Sequence, residues 1–241
     1  MVRNLALAAI LTLGAFLALP GRPAERLVKV YGDLATADRV AVVVPGADTT
    51  RETFDVGTER PGGAARALLA EAARLAPRER LAVVAWLGYD APPTVSLAVL
   101  TDAAAVSGAA ELRRMVTELR GRTPAPVSLL CHSYGSVVCA KALPGLRITD
   151  MAVFGSPGLA GARIPPQVRV WTGLADNDWI RFVPKIRLGP LGFGADAMDG
   201  AYAAHVFETG SGGHSGYFTP GSPSLRNLAL IALGRGGEVT S

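Results

Sequence analysis

Val127-Ser-Leu-Leu-Cys131-His132-Ser133-Tyr134-Gly135-Ser-Val-Val-Cys139-Ala-Lys-Ala-Leu143 is the stretch that decides the organisation of the chain. Val127 to Cys131 is an apolar run of strand length, and Gly135 to Leu143 has helix composition, so the segment predicts a strand, a sharp turn and a helix. The same alternation extends outward in both directions. Upstream, Arg39 to Val44 reads as a strand ending at Pro45-Gly46, Gly62 to Leu75 as a helix, and Leu81 to Leu87 as a strand ending at Gly88. Ala103 to Arg120 repeats apolar residues three and four apart, with Gly121 as its stop. Downstream, Met151 to Phe154 and Val168 to Trp171 read as strands and Ser224 to Leu233 as a last helix. Strands alternating with helices predict βαβ units, hence an α/β fold with a mostly parallel central sheet covered by helices on both faces. No repeat or low-complexity linker divides the chain after its leader, so residues 25–241 are expected to form one domain.

Ligands of such sheets bind beyond the carboxyl ends of the strands. Here those ends carry Pro45-Gly46-Ala47, Gly88-Tyr89-Asp90, Cys131-His132-Ser133, Gly155-Ser156-Pro157 and Gly173 to Asp178. Cys131 to Gly135 has the form small-x-Ser-x-Gly. A serine on a strained strand-to-helix turn projects its hydroxyl above the sheet, and small residues two before and two after let strand and helix approach. The pattern alone is weak in a chain with 28 glycines. Ser211 fits a relaxed form of it but lies in a Gly-rich loop, and Ser156 has Phe154 where a small residue is needed. Only Ser133 has a strand before it and a helix after it. Its plain alternative is a buried serine at a helix start.

A nucleophilic serine needs a base and a group to orient that base. His205 and His214 follow Ser133. His214, in Gly212-Gly213-His214-Ser215-Gly216, sits in a loop before the final helix and is the expected base. His205 lies in the apolar stretch from Tyr202 to Phe207 and reads as part of a strand or short helix packed on the core. The acid is expected in the exit loop of Val168 to Trp171. Asp178, followed by Trp179-Ile180, is favoured, with Asp176 as the alternative acid or an ordinary turn cap. The order Ser, Asp, His is that of α/β-hydrolases. Two backbone amides would hold the oxyanion: that of Tyr134, and that of Gly46 or Ala47, since Pro45 cannot donate. An ordinary turn explains Pro45-Gly46 equally well.

Composition excludes other classes. Residues of the AVILMFWYC set make up 49% and charged ones 18%, enough apolar material for a core and too little charge for a disordered tail protein. The net charge of +4 comes from 24 basic residues scattered among 20 acidic ones, with no basic run interleaved with aromatics, so no nucleic-acid partner is expected. Three histidines and two cysteines do not build a Cys/His zinc cluster, and no metal or other cofactor is expected. Met1 to Asn4 carries a charge, and Leu5 to Leu19 then runs without one before Pro20-Gly21-Arg22-Pro23. Residues 1–24 therefore read as a signal peptide or an uncleaved N-terminal membrane anchor, and the product as secreted or membrane-anchored, extracytoplasmic. Export makes a Cys131–Cys139 disulfide chemically permissible, with reduced core thiols as the other state.

VAVVVPGADTT (40–50), AVVAWLGYDAP (82–92), LLCHSYGSVVC (129–139), FGSPG (154–158) and GHSGYF (213–218) resemble a family of uncharacterised bacterial α/β-hydrolases common in high-GC Gram-positive organisms. The resemblance implies an α/β-hydrolase fold with Ser133, an exit-loop aspartate and His214 as its triad. Cys131 departs from the glycine of the general elbow, which bears on close packing there. The expected protein is an exported serine hydrolase acting on a carboxylic ester or related acyl bond of a small or lipid-like substrate. Acyl transfer on the same triad, or a non-catalytic binding protein of the same fold, are the alternatives. The Gly-rich segment from Val183 to Gly213, with Leu191, Phe193 and Met198, is expected to supply pocket walls or a lid, or else to be a long surface loop.

Overall fold

Alternation within Arg39–Val44 makes the sheet two-sided. Val40, Val42 and Val44 enter one buried cluster and Ala41 and Val43 the other, because successive strand side chains point to opposite faces. The computed structural model describes residues 26–188, 191–200 and 202–241. The signal or anchor expected at 1–24 lies outside them. Among the described residues no helix is long and apolar enough to cross a membrane.

In chain order the elements are β1 (Leu27–Tyr31), β2 (Arg39–Val44), α1 (Pro61–Leu75), β3 (Leu81–Leu87), α2 (Ala103–Arg122), β4 (Val127–His132), α3 (Tyr134–Ala142), β5 (Asp150–Phe154), β6 (Arg169–Gly173), β7 (Arg187–Leu188), β8 (Leu191–Gly192), β9 (His205–Val206) and α4 (Pro223–Ala232). The main sheet has the order β1-β3-β2-β4-β5-β6-β9. β1 runs antiparallel to β3, and every other pairing is parallel. Helices α2 and α3 cover the face of Val42, Trp86, Leu129 and Met151, and α1 and α4 the face of Val83, Leu130 and Phe154. The mostly parallel sheet with helices on both faces is thus present. After β2 the chain moves to β3 on one side, and after β4 to β5 on the other. The carboxyl ends of β2 and β4, neighbours in the sheet, therefore form the switch point where a crevice opens.

Three differences from the sequence reading have physical causes. Helix α2 runs through Gly121 to Arg122, with Thr123 as its extended C-cap. Gly121 faces open space, and the stop is Pro124, which disfavours helical backbone in the residue before it. β1 was not foreseen: it is an edge strand paired on one side only, with Val28 and Val30 exposed and Lys29 between them, so it lacks the apolar run of the central strands. His205 is not packed on the core. It lies exposed in the two-residue edge strand β9 with its ring against Trp171, and Phe207 takes the buried position instead.

In the segment from Val183 to Gly213, β7 and β8 form a small hairpin. Phe193 is buried edge-on against Tyr134, and Met198 accepts a hydrogen bond from Thr172 Oγ1, so these two side chains fill the space beside the sheet rather than wall a pocket.

Cys131 in β4 and Cys139 in α3 are joined in a disulfide, and both are fully buried. The bond ties the strand before Ser133 to the helix after it. The chain-entropy model gives such a short loop about 2–3 kcal/mol of stabilisation. Replacing both cysteines by alanine is expected to lower the unfolding free energy by at least that much, read from denaturant midpoints under non-reducing conditions.

Candidate active site

Ser133 stands between β4 and α3 with φ 51° and ψ −127°, a left-handed backbone in a non-glycine residue. Such a conformation costs on the order of 1–3 kcal/mol and persists only where its surroundings hold it. Here the Ser133 amide donates to Phe154 O at 3.0 Å, and Ser136 Oγ donates to Ser133 O at 2.6 Å. Glycine is required at two adjoining positions. A Cβ on Gly135 would lie 2.4 Å from Pro45 O, and one on Gly46 would lie 2.7 Å from Ser133 Cβ. The small residue of the elbow and the glycine after β2 are thus two halves of one close contact.

The expected partners meet there. His214 Nε2 lies 2.9 Å from Ser133 Oγ, and His214 Nδ1 lies 2.8 and 3.0 Å from the two oxygens of Asp178. Asp178 is completely buried, and Asp176 is exposed to solvent. The carboxylate of Asp178 also accepts the Ile180 amide at 2.8 Å and the Tyr217 hydroxyl at 2.6 Å. Burial works against its ionisation. The hydrogen bonds from His214, Tyr217 and Ile180 outweigh that cost and hold the carboxyl below its ordinary range. A carboxylate that accepts from Nδ1 leaves Nε2 unprotonated toward the serine, the tautomer a general base needs.

Two residues around His214, His132 and Tyr217, were not singled out by the sequence, and Trp179 was named only as the apolar neighbour of Asp178. His132 Nε2 donates to the His214 carbonyl at 2.7 Å, which fixes the proton of His132 on that nitrogen. The ring of His214 lies between those of His132 and Trp179, with centroids 4.8 and 4.6 Å away. Tyr217, whose hydroxyl accepts the Ala175 amide, braces Asp178. Gly155, at φ +56°, admits all of this: a Cβ there would lie 2.9 Å from Asp178 Oδ2 and 3.2 Å from His214 Nδ1. Tyr217 lies 39 residues from Asp178 and His132 lies 82 from His214, so no local spacing signals either contact.

Burial and the neighbouring His214 push the His132 pKa down to about 3. The folded protein therefore keeps His132 neutral where the unfolded chain, titrating near 6.5, takes up a proton. Stability is expected to fall as pH drops from 6.5 towards 3, by up to about 1.4 kcal/mol per pH unit. Urea unfolding of the wild type and His132→Gln at pH 7 and pH 5 measures this, the slope being confined to the wild type.

A cleft of about 80 Å³ opens over Ser133, with Gly46, Ala47, Thr49, Arg60 and Thr94 across from His214. Arg60 donates to Asp48 O and Thr49 Oγ1 at 2.7 and 3.3 Å, which fastens the loop after β2 to the start of α1. Among the described residues, the amides of Ala47 and Tyr134 have no acceptor within the protein. Tyr134 opens α3, whose N-terminal dipole favours negative charge beside it. The Gly46 amide is equally unengaged. Among the described residues no group of three or more His, Cys, Asp or Glu side chains is arranged to hold a metal ion.

A mostly parallel sheet with its crevice at the β2/β4 switch point and a serine on a strained turn after β4 defines the α/β-hydrolase fold. The chain belongs to the alpha/beta hydrolase family, whose sequence model matches residues 21–188. The match contains Ser133 and Asp178 and ends before His214. The uncharacterised protein Rv2079 of Mycobacterium tuberculosis is 28% identical over 90% of this chain and 38% of its own length. Rv0963c of the same organism, likewise uncharacterised, is 36% identical over 53% of this chain and 50% of its own. The chain thus spans half or less of the curated relatives it matches.

Among solved structures, XC6422 of Xanthomonas campestris, described as an α/β serine hydrolase without lid, superposes with TM-score 0.51 at 15% identity, over 90% of this chain and 97% of the other. Esterase PE8 superposes with TM-score 0.54 at 16% identity, over 86% and 97%. At these identities the likeness is one of fold.

Proposed function

We propose that the protein is an exported serine hydrolase that cleaves a carboxylic ester or a related acyl bond through an acyl-enzyme. The observation that carries this reading is the continuous hydrogen-bonded run from Ser133 Oγ through His214 to the buried carboxylate of Asp178. In the proposed reaction Ser133 Oγ attacks the carbonyl carbon while His214 Nε2 takes its proton. Asp178 stabilises the imidazolium, and the amides of Tyr134 and of Ala47 or Gly46 receive the oxyanion. The intermediate collapses as His214 protonates the leaving alcohol. Water, deprotonated by the same imidazole, then releases the acid and restores the serine. Export is supported by the uncharged stretch at 5–19 and by the buried Cys131–Cys139 disulfide, a bond that persists in oxidising compartments.

A fluorophosphonate probe is expected to label the protein on Ser133 alone, and Ser133→Ala is expected to lose both labelling and hydrolysis of p-nitrophenyl acetate. Labelling on Ser156 or Ser211, or a fully active alanine variant, would falsify the assignment. Cell fractionation of a full-length fusion tests export separately, and recovery in the cytosol overturns that part.

A further inference from the structure

Among the described residues, the large apolar side chains most exposed are gathered on two segments that each start at the candidate site. Val95 is 96% exposed, Leu97 81% and Phe182 82%, with Ile186 and Leu188 also exposed nearby in sequence. Both segments begin at the candidate site. Thr94 lines the cleft over Ser133, and Trp179 packs on the His214 ring. They meet farther out, where Thr101 bridges to Leu191 and Arg187 pairs with Asp102. An apolar surface of this kind on a water-exposed domain marks a binding site.

We infer that this surface holds the long alkyl chain of the ester substrate, an inference that rests on the serine-hydrolase reading. Three observations favour that occupant. First, both segments start at the site, one at Thr94 in the cleft lining and the other at Trp179 on the His214 ring, so a chain lying on them can be covalently joined to what reacts at Ser133. Second, the cleft of about 80 Å³ has room for only about three waters at ~30 Å³ each. That holds little more than the ester group, so the remainder of a long chain must leave it, over Val95 and Leu97 or over Phe182. Third, the surface offers little to a charged partner. Residues 91–101 carry no ionisable side chain. On the other segment Lys185 is engaged with Ser156 O, Arg181 with Ala175 O and Arg187 with Asp102.

Trp179 supplies a probe that does not depend on turnover. It is 46% exposed, whereas Trp86 and Trp171 are 2% and 6% exposed. In the full-length Ser133→Ala chain, 12-bromododecanoate below its micelle concentration is expected to quench tryptophan fluorescence saturably. The quenching should vanish in Trp179→Phe and weaken at least five-fold in affinity in Leu97→Ser/Phe182→Ser. Quenching that is absent, or indifferent to the double substitution, overturns the inference.

The kinetic arm assigns the chain to one side of the ester. Full burial of a methylene is worth about four-fold, so a half-open surface should give about two-fold per carbon in kcat/KM from butanoate to decanoate p-nitrophenyl esters. If that series is flat and a series of alkyl acetates rises instead, the chain belongs to the alcohol. The rising series should flatten in Leu97→Ser/Phe182→Ser, with acetate turnover unchanged. Active enzyme with both series flat overturns the inference and leaves the hydrolase reading standing. Quenching as expected with no ester turned over overturns the hydrolase reading and, with it, the assignment of the bound chain to an ester substrate.

Discussion

The Asp178→Asn protein is expected to fold normally and to lose about 10⁴-fold in kcat, the size of effect known for the corresponding change in a serine protease. The geometry explains why so small a change should cost so much. Asp178 touches His214 Nδ1 through both oxygens while accepting from Ile180 and Tyr217. The two donors sit on different oxygens, so an asparagine oxygen keeps the Ile180 amide in the Oδ1 place and its NH₂ takes the Oδ2 place, where the Tyr217 hydroxyl can turn to accept. The same NH₂ then faces Nδ1 as a donor, which forces Nδ1 to accept and moves the ring proton to Nε2. A protonated Nε2 points its N–H at Ser133 Oγ and cannot take the serine's proton. Asp176→Asn is expected to stay within a few-fold of wild type, because that carboxylate is exposed and no hydrogen bond joins it to His214. Rates on p-nitrophenyl acetate, with circular dichroism as the check on folding, separate the two. A crippled Asp176→Asn exchanges the roles of the two acids. Full activity in both removes the carboxylate from the mechanism.

How much of this was legible in the sequence depended on whether a signal was local. The β4 to α3 unit was readable because a five-residue strand with four apolar side chains, a serine with small residues two before and two after it, and a helix follow one another without a gap. The parallel core strands were readable for the same reason: buried on both faces, they are continuous apolar runs. The acid was readable only as a choice between two. Asp176 and Asp178 are both in the exit loop, and what separates them is that only Asp178 is buried, held by His214, Tyr217 and the Ile180 amide. The braces of the site were not readable at all. His132 and Tyr217 contact their partners through the fold, and neither a histidine within an elbow nor a tyrosine three residues after another histidine has a spacing that announces the contact. β1 was obscured by exposure, since edge strands carry charged and polar residues that break the apolar pattern, and the stretch holding β9 was readable only as a strand or a short helix.

Gly46→Ala is expected to reduce kcat about 10³-fold while leaving the protein folded. The added methyl would lie 2.7 Å from Ser133 Cβ and 3.2 Å from Ser133 Oγ, closer than ordinary carbon contacts allow. Ser133 has little freedom to yield, because its amide is held by Phe154 O and its carbonyl by Ser136. The strain is therefore shared between the loop after β2 and the serine side chain. A displacement of about 1 Å at a reacting atom costs about 10² in rate, and moving an oxyanion donor costs about 10²–10³. The two losses overlap, since one shift causes both. The cost in stability should be about 1–3 kcal/mol, as for other overpacked sites. Gly121→Ala is the control: its added methyl meets nothing within 4 Å, and in the last turn of α2 it should raise stability by less than the ~1 kcal/mol of a helix interior, without touching kcat. Measured together, the pair distinguishes a contact at the nucleophile from a general intolerance of change. Wild-type kcat in folded Gly46→Ala would show that this loop neither crowds Ser133 nor holds the oxyanion, and the second amide would have to be sought outside Gly46 and Ala47.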